Sequence, residues 1–220
     1  LEFAKATGTR RPTGIDEAGN AGGKAASQPV ISITRDEARA FCTWLTERER
    51  SSGLLTAEDT YRLPTDEEWS RAVGLPLERG SDPSQRNGRI RGIYPWGFDW
   101  PPPNNTDNFA DLIGARRAAM ENVIPEYEDK FPFLAPATAL PANEHGLRGL
   151  AGNVSEWVDT DFETAPTPSP TTSTPITTPA KSPLGTVRGG NWRSATQEEL
   201  LSSARIPVPP DTRRNTIGFR

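Results

Sequence analysis

The sequence predicts an α+β fold with two main helices, short antiparallel strands and much ordered loop. Two segments carry a helix-capping box followed by apolar residues at helical spacing, which is typical of amphipathic helices. Short β-branched and aromatic segments precede them, and a long later segment is interrupted by Gly, Pro, Asn and Asp too often for regular structure. The 220 residues are enough to bury one large core, so we expect a single domain over residues 1–220.

The first predicted helix lies in "TRDEARAFCTWLTERERSSG". Thr34 caps its first turn, Glu37 reaches back to the cap, and Gly53 ends the helix. Its apolar face consists of Ala38, Phe41, Cys42 and Leu45. A free cysteine on such a face usually packs as a small hydrophobic side chain, so we interpret Cys42 as a core residue.

The second predicted helix is shorter and lies in "TDEEWSRAVG". Thr65 and Glu68 form its capping box, and Gly74 ends it. Its apolar face consists of Trp69, Ala72 and Val73. We expect this face to pack against the core.

Four short segments are predicted as strands or tight turns. Val30–Ile33 precedes the first helix and Tyr61–Leu63 the second, and both are rich in β-branched or aromatic residues. The segments "GNVSEWV" and "TVRGGNW" are expected to pair with each other, and Gly189 and Gly190 suit a close approach of two backbones there. The aromatic residues expected in the core beside them are Trp157 and Trp192.

Two segments are predicted to lack helices and strands. The first, "YPWGFDWPPPNNTDNFAD", should be ordered loop, because its large rings bury apolar area without regular structure. Those rings belong to Tyr94, Trp96, Trp100 and Phe109. The second, residues 164–183, has six prolines and seven threonines and almost no apolar side chain, so we predict a flexible or extended insert.

Composition and charge exclude several classes of function. A net charge of −4 provides no basic surface for nucleic acid, and no apolar run approaches the roughly 20 residues of a membrane helix. We therefore predict a soluble protein that neither binds nucleic acid nor inserts into a membrane. No signal peptide is visible at Leu1, which leaves the compartment open, and nothing in the sequence fixes the oligomeric state.

The chain has one cysteine, Cys42, and one histidine, His145. It therefore cannot form an internal disulfide or a Cys/His zinc site. A Ser-His-Asp triad would have to use His145, which lies in the polar loop "PANEHGLRG" without a nucleophile motif beside it. We interpret His145 as a solvated loop residue.

Five motifs in a fixed order resemble one known family. They are "YRLPTDEEWSRAVG", "YPWG", "GNVSEWV", "VRGGNW" and "NTIGFR". Together they are similar to the formylglycine-generating, sulfatase-modifying family, which implies a C-type-lectin-like fold of the formylglycine-generating-enzyme type. "FAKATGTRRP" resembles the family's early helix, which implies that the family's opening strands precede Leu1.

The resemblance also implies copper chemistry for which this chain lacks the residues. Family members bind Cu(I) through two cysteine thiolates, soft ligands for a soft ion. The corresponding positions here are Glu198 and Ser203, and no cysteine follows Cys42. Related members that form sulfoxides use a histidine-bound iron, which a single histidine cannot supply. We therefore expect no copper, no catalytic residue and none of the family's known enzymatic activities.

One Ca²⁺ site is implied by the resemblance. The matching ligands are Asn108, the backbone oxygen of Phe109, Asp129 and the backbone oxygen of Phe131. All four are oxygen donors, which a hard cation prefers. We therefore expect that Ca²⁺ is a cofactor of this chain.

A second family Ca²⁺ site would use Glu156 and a side chain at position 149. Its other ligands would be the backbone oxygens of Gly152 and Val154. Because Gly149 has no side chain, this site is doubtful, and a buried Glu156 would then need Arg148 or Arg188 as a counter-charge. For Asn153 and Glu156, hydrogen bonds that fix a loop and metal binding remain alternatives.

Residues 188–220 form the candidate ligand-binding segment. In the fold implied by the resemblance this segment lines a solvent-facing site, and its mixed polar and apolar side chains suit an adaptable contact surface. The candidate binding residues are Trp192, Arg193, Ser194, Thr196, Arg205, Ile206, Val208, Thr212, Arg214 and Thr216. We expect a protein or another macromolecule as the ligand.

The same segment resembles the diversified segment of variable proteins of diversity-generating retroelements. There, scrambled asparagine codons cannot yield Lys, Met, Trp, Gln or Glu, so Gln197, Glu198 and Glu199 would be fixed positions. The candidate residues other than Trp192 all comply. Two alternatives remain: a sensor domain attached to a kinase or other signalling protein, and an enzyme with altered chemistry that uses Glu198 or Asp211 as acid or base.

Overall fold

The structure is a computed structural model that describes residues 2–9, 27–163 and 183–220. Its helices are α1 Glu2–Thr7, α2 Arg35–Ser51, α3 Asp66–Ala72, α4 Pro83–Arg86, α5 Leu112–Ala118 and α6 Gln197–Leu200, with a 3-10 turn at Ala137–Ala139. Its strands are β1 Ser155–Phe162, β2 Leu184–Arg188, β3 Arg205–Val208 and β4 Ile217–Gly218. The α+β class is confirmed. Except for Pro183, the predicted flexible insert lies outside the described residues.

Both predicted helices form, and each begins at its predicted capping box. At α2, the Thr34 hydroxyl accepts a hydrogen bond from the Glu37 amide at 3.2 Å, and the Glu37 carboxylate accepts one from the Thr34 amide at 2.9 Å. Thr65 and Glu68 make the same reciprocal pair at α3, at 3.2 and 2.8 Å. Among the described residues, no helix has the length and apolar character needed to cross a bilayer.

The prediction of a strand before each of the two helices is wrong. Val30–Ile33 and Tyr61–Leu63 are not strands, because their backbone groups find partners outside any ladder. Ser32 has a left-handed φ of 56°, and its amide donates to a backbone oxygen of the C-terminal segment at 3.0 Å. The amide of Tyr61 donates to a side-chain hydroxyl of α2 at 2.8 Å.

The four strands form one sheet in the order β3-β2-β1-β4. β1 and β2 are antiparallel, with Trp157 opposite Val187, and this confirms that the segments on both sides of the insert pair. The register shifts between Trp157 and Asp161, and pairing resumes to the end of β1, where Phe162 lies opposite Leu184. β3 pairs antiparallel with β2, and β4 pairs parallel with β1.

A hydrophobic core joins the sheet to α2. Its members are Ile33, Ala38, Cys42, Leu63, Trp157, Val187, Val208 and Ile217. The Trp157 ring is fully buried, and its indole N–H donates to the Ile33 backbone oxygen at 3.1 Å. Trp192 is buried in a neighbouring cluster with Ile31, Leu134 and Val154. Cys42, Trp157 and Trp192 are therefore core residues, as predicted.

The aromatic loop is ordered by its own rings. Tyr94 and Trp96 stack with their ring centroids 4.9 Å apart and their planes 5° apart, and Phe109 packs against Trp96 and Tyr127. The cluster also buries Ile124, Ala151, Leu200 and Leu201. Residues 94–111 contain no helix or extended strand, which confirms the predicted ordered loop.

Buried charges fasten α3 to the ends of β2 and β3. Asp66, the first residue of α3, pairs with Arg188 and, at 2.9 Å, with Arg205, which also pairs with Glu78 at 2.6 Å. Burial raises the pKa of Asp66, but the two guanidinium groups outweigh it and hold that pKa below its ordinary value. The Arg188 guanidinium also lies over the Trp69 ring, 4.3 Å from its centroid.

The two glycines after β2 allow the close backbone approach predicted for them. A Cβ at Gly190 would lie 2.3 Å from the Leu200 side chain and 2.7 Å from the Ala151 backbone oxygen. At Gly189 the backbone has a φ of 76°, and a Cβ would lie 2.8 Å from the Leu150 backbone oxygen. Neither position accepts a larger residue without displacing backbone.

Candidate functional site

The C-terminal segment borders a cleft of about 470 Å³ between α6, the start of β3 and the loop of residues 87–94. We call it the α6 cleft. Its lining residues are Asn87, Gly88, Arg91, Gly92, Tyr94, Gln197, Glu198, Glu199, Leu201, Ala204, Arg205 and Ile206. Backbone hydrogen bonds from Gly88 to Ser203 and from Ser202 to Ile93, both 2.9 Å long, hold its two sides together.

A capping box fixes the α6 side of the cleft. The Thr196 hydroxyl accepts from the Glu199 amide at 3.3 Å, and the Glu199 carboxylate accepts from the amides of Ala195 and Thr196 at 3.0 and 3.1 Å. Thr196 and Glu199 therefore hold the helix in place. Glu198 between them is exposed and makes no ion pair in the described part of the chain.

Tyr94 and Arg91 form the opposite side. Burial raises the pKa of the Tyr94 hydroxyl, and the negative charge of Glu198 raises it further. Arg91 is exposed and forms no ion pair with any described residue. The lining of the cleft therefore includes an unpaired carboxylate, an unpaired guanidinium and a largely buried aromatic ring.

The two positions that the resemblance matched to copper ligands have different surroundings. Glu198 lines the cleft, whereas Ser203 is fully buried. The Ser203 hydroxyl donates to the Ile90 backbone oxygen at 2.7 Å and accepts from the Ile90 amide at 3.3 Å. No thiol or imidazole lines the cleft, because Cys42 lies in the core and His145 lies exposed in its own loop, as predicted.

Four of the predicted ligand-binding residues are buried; Arg205 still borders the α6 cleft, and the prediction is wrong for the other three. Arg205 is enclosed by its ion pairs with Asp66 and Glu78, and Val208 belongs to the core under the sheet. The Ser194 side chain is buried and accepts from the Asn191 amide at 3.2 Å. The fourth is Trp192, whose indole N–H donates to a backbone oxygen at 3.2 Å.

The other six predicted binding residues are exposed or half-buried, but they have different neighbours. They are Arg193, Thr196, Ile206, Thr212, Arg214 and Thr216. Ile206 lines the α6 cleft, and Arg193 lies beside residues 119–122. The backbone oxygen of Arg214 accepts a hydrogen bond from the Ser32 amide, next to the residues that precede α2. Asp211, the alternative acid or base, is exposed and does not line the cleft.

The residues of the expected calcium site lie together. The two oxygens of the Asp129 carboxylate accept from the amides of Phe109 and Phe131, each at 2.8 Å. Burial raises the pKa of Asp129 to about 7, and the nearby charge of Asp111 contributes. The side-chain oxygen of Asn108 is buried and accepts no hydrogen bond. An orphaned amide oxygen beside a buried carboxylate fits a hard cation.

Glu156 is buried, but its counter-charge is neither Arg148 nor Arg188, so this expectation is wrong. Arg220 forms the pair, with Nη2 and Nε lying 2.9 and 3.1 Å from Oε1. Trp69 donates to Oε2 at 3.0 Å. Arg148 contributes only its backbone oxygen, which accepts from Arg220 at 2.6 Å. Glu156 thus joins the C-terminus to the sheet.

The loop that forms half of the α6 cleft was not predicted from the sequence. Arg91 and Asn87 lie in "RNGRIRG", where Gly88 and Gly92 have φ values of 65° and 68°. Two glycines among basic residues are typical of a tight exposed loop, and this signal was present in the sequence. Its placement opposite α6 depends on contacts more than a hundred residues apart along the chain.

Comparison with known proteins places these features in a family. A model described as the Sulfatase-modifying factor enzyme 1-like domain matches residues 2–220. The chain is 26% identical over 197 residues to the inactive C-alpha-formylglycine-generating enzyme 2 of Bos taurus, covering 87% of this chain and 49% of that protein. It is 26% identical over 203 residues to the formylglycine-generating enzyme of Thermomonospora curvata, covering 88% and 55%. The chain thus spans about half the length of these curated relatives.

Solved structures confirm the C-type-lectin-like fold of the formylglycine-generating-enzyme type. Treponema denticola variable protein 1 matches with a TM-score of 0.57 at 16% identity, covering 99% of this chain and 78% of that one. PvdO from Pseudomonas aeruginosa matches with a TM-score of 0.53 at 19% identity, covering 88% and 60%.

Replacing Arg220 with Met is expected to lower the free energy of unfolding by about 2–3 kcal/mol, because Glu156 would be left buried without its counter-charge. The partial exposure of Arg220 keeps the loss below that of a fully enclosed pair. Urea unfolding measures the effect. The matched control, Arg148→Met, should cost less than about 1 kcal/mol, and a larger loss in the control than in Arg220→Met would contradict the assignment.

Proposed function

We propose that this chain, which belongs to the sulfatase-modifying factor enzyme 1-like family, is a non-catalytic member that binds a protein or other macromolecular ligand in the α6 cleft. The observation that carries the proposal is the cleft itself. It is open, its lining includes Glu198, one of the two positions that the resemblance aligns with the family's copper ligands, and it contains no thiol or imidazole. A cleft that lies where the family has its active site, but lacks the metal ligands, is suited to binding a ligand without catalysis.

The chemistry of the lining supports the absence of catalysis. Cu(I) requires soft ligands, and here one aligned position is the exposed carboxylate of Glu198 while the other is the buried hydroxyl of Ser203. One curated relative, 26% identical, is named as an inactive formylglycine-generating enzyme. That name is compatible with loss of catalysis in this family.

The charges in the cleft support a polypeptide ligand. Arg91 and Glu198 are both unpaired, so a ligand that supplies one charge of each sign gains two ion pairs without breaking any. Tyr94 also lines the cleft, but it is only 5% exposed and therefore adds a small aromatic contact. Ile206 adds a half-buried apolar contact.

A finer form of the proposal is that the C-terminal segment is diversified, as in retroelement variable proteins. Treponema denticola variable protein 1 shares the fold, and the exposed Arg193, Thr196 and Arg214 and the half-buried Thr212 are compatible with scrambled asparagine codons. Gln197 and Glu198, which line the cleft, are incompatible. Diversification in this chain would therefore act around the cleft more than inside it.

We further propose that Ca²⁺ binds through the Asn108 side-chain oxygen, the Asp129 carboxylate and the backbone oxygens of Phe109 and Phe131. The cation would supply positive charge to a buried carboxylate that has no Arg or Lys partner in the described part of the chain. Because Phe109 belongs to the aromatic cluster next to Tyr94, the ion would stabilise the loop behind the α6 cleft.

Peptides selected for binding from a random displayed library should depend on Glu198. The Glu198→Gln substitution removes the unpaired charge without changing the shape of the cleft, and we expect affinity to fall by about tenfold or more. Calorimetric titration of the selected peptides measures it. Glu128→Gln, an exposed carboxylate outside the cleft, is the matched control and should bind as the parent does.

Selected peptides that bind Glu198→Gln as tightly as the parent would contradict the site. The absence of catalysis is checked on the same preparation, with a cysteine-bearing sulfatase peptide and Cu(I). The formylglycine-generating enzyme of Thermomonospora curvata serves as the positive control. We expect no product from this chain, and clear turnover would refute the non-catalytic assignment.

The diversification form predicts two features of the surrounding DNA. A near-identical template repeat should lie beside the gene, differing from the coding copy chiefly at adenines, and a reverse transcriptase gene should be close by. Sequencing the flanking region decides the matter. If both features are absent, the segment is not diversified, and the binding proposal stands or falls on the peptide experiment alone.

Adding Ca²⁺ to chelator-treated protein should raise the free energy of unfolding, because the ion binds the folded chain and not the unfolded one. At a free concentration one hundred times the Kd, the gain is about 2.7 kcal/mol. Asp129→Asn should abolish the gain, whereas Glu128→Gln, next to it but exposed, should retain it. The site would be disproved if Ca²⁺ left the free energy of unfolding of the parent protein unchanged, or if Ca²⁺ still raised that of the Asp129→Asn variant.

A further inference from the structure

A second pocket lies on the other side of the Tyr94–Trp96 stack. It has a volume of about 310 Å³, and we call it the Trp96 pocket. Its lining residues are Pro95, Trp96, Thr106, Asp107, Pro141, Ala142, Asn143, Leu147, Gly149, Leu150 and Ala151. Tyr94 borders the α6 cleft and Trp96 borders this pocket, so the two spaces are separate and share one pair of stacked rings.

Asp107 is the one acidic residue in this wall, and it is 4% exposed. Its carboxylate accepts hydrogen bonds from the amides of Asn108 and Ala151, at 2.8 and 3.1 Å. These bonds fix its position but supply no full positive charge. Two other charged side chains that act on it, Glu156 and Asp129, are also negative. No Lys, Arg or His of the described residues pairs with Asp107.

Each side-chain donor group in the wall already donates one hydrogen bond. The Trp96 indole N–H, the Thr106 hydroxyl and the Asn143 amide donate to backbone oxygens at 2.9, 2.6 and 2.8 Å. The pocket therefore offers a negative charge, an aromatic ring and apolar surface, and beyond these bonds its side-chain groups retain only the second N–H of the Asn143 amide as a donor. An anion would be repelled by the buried carboxylate, whereas a cation would find a counter-charge and a π-system.

The shape of the wall favours an organic cation over a metal ion. Ca²⁺ takes six to eight oxygen ligands, and this wall, unlike the expected calcium site, adds to its one carboxylate no buried side-chain oxygen that lacks a hydrogen-bond partner. Prolines, leucines and an indole instead provide the apolar contact that surrounds small organic ligands, and the volume lies within the range of about 300–1,000 Å³ typical of such sites.

We propose that the Trp96 pocket binds a small organic ammonium ion, with Asp107 as the counter-charge and Trp96 as the aromatic wall. The site is distinct from the α6 cleft and does not depend on the function proposed for that cleft. Its ligand is a free small molecule that buries its apolar part against Leu147 and Leu150.

Choline and its neutral carbon isostere, in which a quaternary carbon replaces the nitrogen, test the role of charge. They have nearly the same size and shape, so a difference in affinity reports the ammonium group. We expect calorimetric titration of the full chain to show binding of choline, and the isostere to bind at least about tenfold more weakly. Equal affinities, or no binding of choline, would overturn the proposal.

Two variants locate the site. Ala142 is exposed and lines the pocket, so Ala142→Phe fills the pocket without disturbing the core and should abolish choline binding. Ala137→Phe makes the same change at an exposed position outside the pocket and should leave choline binding unaltered. Asp107→Asn removes the charge and should weaken choline binding to the level of the isostere.

Because Asp107 also accepts two backbone hydrogen bonds, its variant is assessed only if its melting temperature shows that it is folded, and Ala142→Phe decides the question otherwise. Choline binding that survives Ala142→Phe would place the ammonium site elsewhere and overturn the proposal. Binding of Ca²⁺ in competition with choline, blocked by Ala142→Phe, would also overturn it, because the occupant would then be a metal ion.

Discussion

The pairing of Asp66 with Arg188 and Arg205 is the interaction on which the rest of the structure depends. It draws the first turn of α3 onto the ends of two strands, and the charges involved are almost completely shielded from water. Such a group is strongly destabilising if one member is removed, because the remaining charges stay buried. From this centre, contacts continue outward: Arg188 stacks on Trp69, Trp69 donates to Glu156, and Glu156 pairs with the last residue of the chain. Ion pairs thus hold the C-terminal segment at Arg188, Arg205, Arg213 and Arg220, and the exposed positions between them are available for a binding surface.

Local signals predicted the local parts of this fold well. The capping boxes at Thr34 and Thr65 need only residues three apart, and both helices begin where the sequence indicates. The pairing of β1 with β2 was also predictable, since apolar runs flank the insert on both sides. The strand predictions for Val30–Ile33 and Tyr61–Leu63 failed because the contacts that decide their structure are not local. Their composition favours strands, but their amides bond to a distant loop and to a helix hydroxyl, and nothing in the segments themselves indicates this.

The candidate site shows the same division. The exposed positions of the C-terminal segment were recognisable from its polarity. The sequence did not show which arginine is exposed. Arg205 and Arg214 look alike in the sequence, but Arg205 is paired in space with Asp66, which lies 139 residues earlier. The other half of the α6 cleft comes from a loop that was not predicted from the sequence. A binding face built from segments that are distant in the sequence can therefore be predicted only in part from one segment. The family resemblance indicated where the face lies, but not which residues line it.

The closure of the β1–β2 pair has a consequence for how this fold tolerates change. Phe162 and Leu184 lie opposite each other, so the β1–β2 pair is closed at the residues that flank the Pro/Thr-rich insert. Lengthening or replacing a segment attached at such a point costs mainly loop-closure entropy, about 0.6 kcal/mol for each doubling of length. Evolution can therefore vary the insert with little effect on the rest of the molecule, and a protein engineer has a natural position at which to graft a tag, a spacer or a second domain.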